Sequence, residues 1–205
     1  MKKNSYPGKF IVIEGLDGSG QTTQVNLLKD FLIGKGYQLT LTKEPTLESE
    51  AGKKIRGILD EKEKIEAAEL QKLFAQDRKE HLENTIIPAL QKGSFVISDR
   101  YFFSSFAYGA ADGLDLNKLI KINDDFLLPD LTIILKVSPD VCVSRIKKRG
   151  TERTLFEKRD KLAEVWRIYA TFPKKFEDVF IIDGEKTIDG VFEEIKKVIS
   201  LNLLR

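Results

Sequence analysis

The sequence predicts an α/β fold in which a doubly wound, five-stranded parallel sheet carries helices on both faces. Short apolar runs typical of buried strands alternate along the chain with segments whose apolar residues follow helical spacing. A glycine-rich turn joins the first run to the first helical segment. Strands that alternate with helices favour a parallel sheet, because each parallel connection needs a long crossover. The sequence contains no repeat and no linker, so we expect one domain over residues 1–205.

The predicted strands are mostly short apolar runs, as strands buried on both faces of a parallel sheet are. The second strand instead alternates polar and apolar residues, Gln-Leu-Thr-Leu-Thr, with the period of a β-strand. The predicted strands cover residues 9–14, 38–42, 95–98, 131–137 and 179–182.

Helices are predicted between the strands from apolar residues spaced three and four apart. Pro88 is expected to kink one long helix or to mark its last turn. Ser138 and Pro139 open another helix, with a serine cap and a proline in the first turn. The predicted helices cover residues 21–36, 51–59, 67–92, 102–128 with a break at Gly113, a segment from 139, a segment through Trp166, and 188–204.

Composition excludes several function classes. The net charge of +2 argues against a protein that binds nucleic acid through bulk electrostatics. The single Cys142 cannot form an internal disulfide and is expected to be a packed thiol, and the single His81 cannot build a histidine-rich metal site. No run of eighteen apolar residues and no apolar signal segment occurs, so we predict no membrane association and a cytoplasmic protein.

Residues 15–22, Gly-Leu-Asp-Gly-Ser-Gly-Gln-Thr, match the phosphate-binding pattern G-x-x-x-x-G-K-[ST] at every fixed position but one. The strand before them and the helix after them are the context that this motif needs, and the alternative is a glycine-rich turn that binds nothing. Such a loop binds phosphates mainly through main-chain N–H groups and the helix dipole. Thr22 is predicted to offer its hydroxyl to Mg²⁺. The fold is therefore predicted to be of the P-loop NTPase type.

Gln21 stands where this motif has lysine. Phosphate binding is expected to survive, weakened, because the main chain does most of it. We expect Gln21 to affect phosphoryl transfer more strongly than phosphate binding, because a neutral amide cannot offset charge that moves between the β- and γ-phosphates.

Charged residues follow the predicted strands at the edge where ligands collect in a parallel sheet. Asp99 is predicted to hold the water shell of Mg²⁺ and Arg100 to grip a second phosphate, although a strand-end salt bridge is the alternative. Phe74 and Arg78 share a helix face, so they can stack on and read a base, whereas Phe74 alone would more often belong to the core. Arg56 is either another phosphate clamp or an ordinary solvated residue.

A basic run surrounds Gly150, from Arg145 to Lys161. Such a run is usually a solvated face. Beside a phosphate loop without its lysine, it also fits a flexible lid over residues 145–160 that brings Arg149 and Arg153 over the transferring phosphoryl group.

Taken together, four motifs resemble those of the thymidylate kinases, in register from the first strand to the last helix. They are residues 15–24, Lys43-Glu44-Pro45, Leu73-Phe-Ala-Gln-Asp-Arg78, and Asp99-Arg-Tyr101 with Ser104 and Tyr108. The resemblance implies transfer of the γ-phosphoryl group of ATP to dTMP, giving dTDP and ADP with Mg²⁺, in a protein that pairs as a homodimer.

The resemblance also implies roles by position. Phe74 stacks on thymine, Arg78 contacts the base edge, and Tyr108 crowds the sugar 2′ position. Implied ATP-binding residues are Gly15, Leu16, Asp17, Gly18, Ser19, Gly20, Gln21, Thr22, Thr23 and Arg145, the last along the adenine. Implied dTMP-binding residues are Asp17, Glu44, Arg56, Phe74, Arg78, Arg100, Ser104, Ser105 and Tyr108. Implied catalytic residues are Asp17, Asp99, Arg149 and Arg153, and implied metal-site residues are Thr22 and Asp99.

Gly18, together with arginines in the lid, places the chain with the bacterial-type branch of that family. Three residues depart from the family pattern: Gln21, Lys43 in place of arginine, and Gly109 in place of glutamine. Two other functions stay open on the residues alone. One is a related nucleoside monophosphate kinase with another pyrimidine acceptor, and the other is a catalytically weakened nucleotide-binding paralogue with a regulatory role.

Overall fold

A computed structural model describes residues 1–60, 62–63, 65–148 and 155–204, with the backbone alone described for residues 155–158. Its five strands form one parallel sheet in the order β2-β3-β1-β4-β5. This confirms the predicted doubly wound sheet. The strands are β1 (Lys9–Gly15), β2 (Leu39–Lys43), β3 (Phe95–Asp99), β4 (Leu131–Lys136) and β5 (Val179–Asp183).

Helices connect the strands and extend beyond the last one. They are α1 (Gln21–Gly34), α2 (Glu50–Leu59), α3 (Ala67–His81), α4 (Ile87–Gln91), α5 (Phe102–Ala111), α6 (Leu116–Ile122), α7 (Pro139–Lys147), α8 (Leu155–Tyr169) and α9 (Ile188–Asn202). Within the described part of the chain, no helix combines the length and apolar character needed to span a membrane.

Both faces of the sheet are covered, as predicted. Side chains alternate between faces along a strand, and in β1 Phe10 and Val12 pack into one apolar cluster while Ile11 and Ile13 pack into the other. The first cluster is aromatic and contains Phe102, Phe103 and Phe106 of α5 with Tyr169 and Phe172. The second contains residues of α1 and α9. The central strand is therefore buried on both sides, and its carboxyl end is held rigidly.

The single helix predicted over residues 67–92 was wrong in detail. The chain forms α3, then a π-helical turn at Leu82–Ile86, then α4. Pro88 lies in the first turn of α4. Proline has no N–H to donate and its ring clashes with the preceding helical turn. The wider π turn directly before it accommodates both constraints without ending the helical path.

The helix predicted over residues 102–128 also ends earlier, at Ile122. Asn123 folds its side-chain amide back onto the main-chain O of Leu119. Beyond it, Phe126 and Leu128 exchange main-chain hydrogen bonds with Lys2 near the amino terminus. Tertiary pairing with the N-terminal segment thus replaces the last helical turns.

Ser138 occupies the predicted cap position before Pro139, but its side chain makes no capping hydrogen bond. Its main-chain N–H donates to Glu185 at 2.6 Å instead. Cys142 is fully buried, which confirms the packed thiol, and burial raises its pKa to about 12.

The register brings the polar strand ends together. Lys43 at the end of β2 is aligned with Asp99 at the end of β3, and Asp99 is aligned with Ile13 of β1. The path of the chain reverses around β1, which lies between the β2–β3 half and the β4–β5 half of the sheet. Ligands of open α/β sheets bind at such a point.

Gly52 sets how closely α2 approaches the loop before it. A Cβ there would clash with the main-chain O of Thr46 and lie 2.8 Å from Oδ1 of Asp77. We expect Gly52→Ala to lower the free energy of unfolding by about 1–3 kcal/mol, because the backbone must shift.

Gly57→Ala on the same helix is the control, since its Cβ meets nothing closer than 3.9 Å. It should stabilise the protein by up to about 1 kcal/mol through helix propensity. Urea denaturation measures both, and equal effects would contradict the packing argument.

Candidate active site

The glycine-rich loop adopts the backbone that its glycines permit. Gly18 and Gly20 have φ of 86° and 98°, in the left-handed region that favours glycine. A Cβ on Gly18 would lie 2.7 Å from the main-chain O of Cys142, so the loop packs directly on α7. Gly20 is the N-cap residue of α1, a helix of 14 residues that begins at Gln21. The loop therefore presents main-chain N–H groups at a helix N-terminus, the arrangement that binds phosphate.

A cavity of about 270 Å³ lies in front of this loop. Gln21 lines it, is only 6% exposed, and its Nε2 has no hydrogen-bond partner. A buried amide nitrogen without a partner is costly, so an acceptor that reached it would stabilise this side chain. The lining residues are Asp17, Gly18, Gly20, Gln21, Thr22, Thr23, Lys43, Asp99, Arg100 and Ile146.

Thr22 and Asp99, the predicted metal-site residues, are in direct contact. The Thr22 hydroxyl donates to Oδ2 of Asp99 at 2.8 Å. Within the described residues no cluster of three histidine, cysteine, aspartate or glutamate side chains could hold a metal alone. One hydroxyl and one carboxylate nevertheless fit Mg²⁺ that completes its shell with water and phosphate oxygens, as this ion does in phosphoryl-transfer sites.

Arg100 is held in a fixed position beside the loop. Its backbone is left-handed, with φ of 76°, and its main-chain O accepts from the Ser98 hydroxyl at 2.6 Å. The guanidinium donates to the main-chain O of Gly15, to Ser104 Oγ and to Asp17 Oδ1 at 3.1, 2.9 and 2.8 Å. A non-glycine residue in this conformation is strained, and such strain concentrates at functional sites.

Glu14, the residue before the loop, is completely buried. Its carboxyl accepts from the main-chain N–H groups of Tyr101 and Ser104, and from the hydroxyls of Ser104 and Tyr169, at 2.5 to 3.1 Å. Burial raises the pKa of this carboxyl, while the Arg100 guanidinium and the hydrogen bonds from Ser104 and Tyr169 lower it part of the way. Glu14 thus connects β1, α5 and α8 directly behind the loop.

A second cavity, of about 240 Å³, is lined by every residue that was predicted to bind the acceptor nucleotide. It shares Asp17, Lys43 and Arg100 with the phosphate cavity. The predicted residues that line it are Asp17, Glu44, Arg56, Phe74, Arg78, Arg100, Ser104, Ser105 and Tyr108, and the others are Lys43, Pro45, Leu59, Gln71 and Tyr101.

The Arg78 residue is only 1% exposed, so it is buried more deeply than its spacing on the helix suggested. Its Nε and Nη2 lie 2.8 and 2.7 Å from Oε2 of Glu44. Its Nη1 donates to Asn123 Oδ1 at 2.6 Å, and its Nη2 donates to Ser105 Oγ at 3.1 Å. The guanidinium therefore reaches the cavity as a rigid, preorganised donor.

A third cavity, of about 240 Å³, adjoins the opposite side of the loop and shares Gly20 and Thr23 with the phosphate cavity. Arg145 crosses it, donating to the main-chain O of Ser19 at 3.1 Å and approaching that of Gly184 at 3.4 Å. Its apolar wall comes from Ile188 and Val191.

Two of the remaining predicted site residues, Gly15 and Leu16, are described by the structure, and two others are not. Gly15 ends β1, and the Leu16 side chain is fully buried in the core, so these two can serve a ligand only through the main chain. Arg149 and Arg153 lie outside the described residues. The assignment to the bacterial-type branch therefore stays a prediction.

Several site residues were missed by sequence reasoning. Glu14 was not among them, because its place at the end of the first predicted strand already nominated it, although without a role. Asn123 and Tyr169 carried no signal, because they reach the site from elements distant in sequence, whereas His81 lies three residues after Arg78 on α3. His81 lies 3.1 Å from Glu44 and Tyr169 lies 2.9 Å from Glu14.

Arg78→Lys should lower the free energy of unfolding by about 2 kcal/mol or more, because an ammonium cannot satisfy Glu44, Asn123 and Ser105 together and leaves buried groups unpaired. Arg167→Lys is the matched control. Its ion pair with Glu164 is exposed, at 76% and 47%, so the change should stay within about 0.5 kcal/mol. Chemical denaturation compares the two, and an equally small effect at Arg78 would show that the buried network contributes nothing.

Comparison with known proteins identifies the family. The family model described as thymidylate kinase matches residues 13–195. A probable thymidylate kinase of Pyrococcus horikoshii is 42% identical over 96% of this chain and 98% of its own length. A thymidylate kinase of Caldicellulosiruptor saccharolyticus is 39% identical over 94% and 96%, and a probable one of Archaeoglobus fulgidus is 38% identical over 95% and 97%. A match of this extent, on the geometry described above, means that the chain belongs to the thymidylate kinase family.

Proposed function

We propose that this chain transfers the γ-phosphoryl group of ATP to dTMP, giving dTDP and ADP. One observation carries the proposal: the cavity lined by all the predicted acceptor residues adjoins the cavity of the phosphate-binding loop, with which it shares Asp17, Lys43 and Arg100. An acceptor phosphate and a donor phosphate bound in these cavities meet at that junction. The family uses ATP as its phosphate donor, generally with Mg²⁺.

The donor occupies two connected cavities. The loop amides and the N-terminus of α1 hold the phosphates, and Gln21 adds one neutral donor. The adenine lies in the third cavity, between the Arg145 guanidinium and the apolar surface of Ile188 and Val191. Arg145 also ties the loop to the end of β5 by its main-chain contacts.

The acceptor is held by its base, sugar and phosphate separately. Phe74 offers a ring face for the base, and the fixed Arg78 guanidinium offers its remaining Nη1 N–H group to the base edge. Arg56 and Arg100 hold the phosphate. Tyr108 lies against the sugar, where its hydroxyl accepts from the main-chain N–H of Asp17 at 3.0 Å and burial raises its pKa.

The reaction needs alignment and charge compensation more than covalent chemistry. An oxygen of the dTMP phosphate attacks the γ-phosphorus, the bond from that phosphorus to the β-bridging oxygen breaks, and ADP leaves with the electron pair. Arg100 orients the attacking phosphate. The N–H groups of the loop stabilise the negative charge that develops on the β-phosphate oxygens during transfer. Thr22 and Asp99 would hold Mg²⁺, which would supply positive charge to neutralise the donor phosphates.

Four further predictions of the sequence concern the whole protein: one domain, a homodimer, a cytoplasmic location and no nucleic-acid partner. The near-balanced charge supports the last. These stay proposals alongside the activity.

ADP release from ATP should be stimulated most by dTMP in a coupled assay across dTMP, dUMP, UMP and CMP. Phe74 and Arg78 favour a pyrimidine, and Tyr108 disfavours a 2′-hydroxyl. A higher kcat/KM for another monophosphate would identify a related kinase instead. Tight binding of dTMP and ATP by calorimetry without turnover would support the regulatory paralogue.

Tyr108→Ala should raise the ratio of kcat/KM for UMP over dUMP by about 10-fold or more, because it removes the ring that crowds the 2′ position. Tyr108→Phe keeps the ring and loses only the hydroxyl that accepts from Asp17, so its ratio should stay near that of the wild type. If both substitutions change the ratio equally, the ring does not exclude the ribose.

A further inference from the structure

We propose that Lys43 supplies the positive charge that the phosphate-binding loop lacks, by placing its ammonium on the γ-phosphoryl group during transfer. The inference rests on the proposed phosphoryl transfer and assigns a catalytic residue to it. Three features of the described residues lead to it: a neutral loop side chain, a cation that is already committed, and a cation that is not.

Gln21 carries no charge that could compensate the negative charge of a bound phosphate. The Gln21 side chain is only 6% exposed, and its Nε2 is buried without a hydrogen-bond partner. A neutral amide can hold the ground state of the triphosphate. It cannot offset the charge that shifts as the phosphorus–oxygen bond breaks, because it carries no net charge of its own.

Arg100 is already committed. Two of the described residues that line the phosphate cavity are cationic, Lys43 and Arg100. The Arg100 guanidinium donates to Gly15, Ser104 and Asp17, and its side chain is 16% exposed. Moving it onto the donor would break these bonds, so it serves the acceptor side as a fixed group.

Lys43 is free to move. Its side chain is 53% exposed, and its Nζ makes one loose ion pair, 3.5 Å from Oδ2 of Asp99. The same oxygen accepts from the Thr22 hydroxyl at 2.8 Å, so the ammonium already lies beside the first turn of α1, next to Gln21. The lysine side chain has four rotatable bonds and is itself exposed, whereas Asp99 is 6% exposed and keeps its hydrogen bond from Thr22 when the ammonium moves away.

The position of Lys43 also fits the step. It lines both the acceptor and the phosphate cavity, at the end of β2 where the two meet. When the dTMP oxygen bonds to the γ-phosphorus and the β-bridging oxygen departs with the electron pair, both oxygens lie near this junction. Lys43 keeps its proton throughout and stabilises the phosphoryl oxygens of the transition state by charge.

This role differs in its kinetics from a contact with the acceptor phosphate alone. A cation that binds only the acceptor phosphate changes KM for dTMP and leaves kcat nearly unchanged. A cation that meets its anion mainly in the transition state changes kcat. The two roles also respond differently to restoring a lysine in the loop, because only the transition-state charge becomes redundant.

The test is a double-mutant cycle with Lys43→Met, Gln21→Lys and the combined variant, measured against wild-type protein with ATP and dTMP. Methionine keeps the length of the side chain and removes its charge. We expect Lys43→Met to lower kcat about 10²-fold in the wild-type background, the cost of losing a transition-state donor. With Gln21→Lys present, the same change should cost less than about 10-fold. Lys72→Met, an exposed lysine of α3, is the control and should leave kcat unchanged.

A second measurement covers the case in which Gln21→Lys fails to fold. Calorimetry compares the affinity of wild type and Lys43→Met for ADP with dTMP, with and without tetrafluoroaluminate, which mimics the transferring phosphoryl group. Lys43→Met should lose about 10-fold or more of the fluoroaluminate-dependent affinity and retain its binding of ADP.

Equal losses of kcat in both backgrounds, a loss confined to KM for dTMP, or unchanged fluoroaluminate binding would each overturn the role of Lys43. These outcomes differ from failure of the proposed function. In that case the wild-type protein itself shows no ADP release stimulated by dTMP, which would refute the reaction and the role of Lys43 with it.

Discussion

A single buried carboxyl organises the active site. Glu14 lies at the carboxyl end of the central strand, and it accepts hydrogen bonds from α5 and α8 while it faces Arg100. Burying such a group is costly unless every lone pair has a partner. Since the partners come from different parts of the chain, the loop after β1 and the acceptor wall on α5 are fixed relative to each other. The distance between donor and acceptor depends on this arrangement.

A second buried carboxylate, with its own hydrogen-bond network, lies on the other side of the acceptor cavity. Glu44 pairs with Arg78 and contacts His81, and Asn123 and Ser105 complete the guanidinium's hydrogen bonds. Networks of this kind stabilise a unique geometry only when all their members are satisfied. The two buried networks therefore make the acceptor cavity a rigid frame, which suits a reaction whose rate depends on alignment.

Rigidity has a chemical consequence at the donor side. Arg78 and Arg100 of the acceptor cavity are bound to protein partners, and the loop contributes an amide where a lysine is usual. In the proposed reaction, the charge that follows the migrating phosphoryl group comes, among the described residues, from a side chain with few protein contacts. Lys43 meets that description because its strand end faces both cavities and its one ion pair is loose.

Local patterns were sufficient for much of this protein. Apolar runs located the strands to within a residue or so, because burial on both faces requires uninterrupted apolar sequence. The loop motif and the four-residue spacing of Phe74 and Arg78 predicted residues that line two adjoining cavities, since each pattern depends on neighbours in the chain. The helix ends at Ile122 and around Pro88 were missed where distant contacts outweighed local propensity.

What the sequence alone determined is the sheet, its phosphate loop and the residue types offered at its edge. Only the tertiary structure decided which of those residues are held and which are free. Asn123 meets Arg78 across 45 residues, and Tyr169 meets Glu14 across 155. Such pairings leave no periodic trace in the sequence, because they are set by how helices pack on the sheet rather than by spacing along the chain.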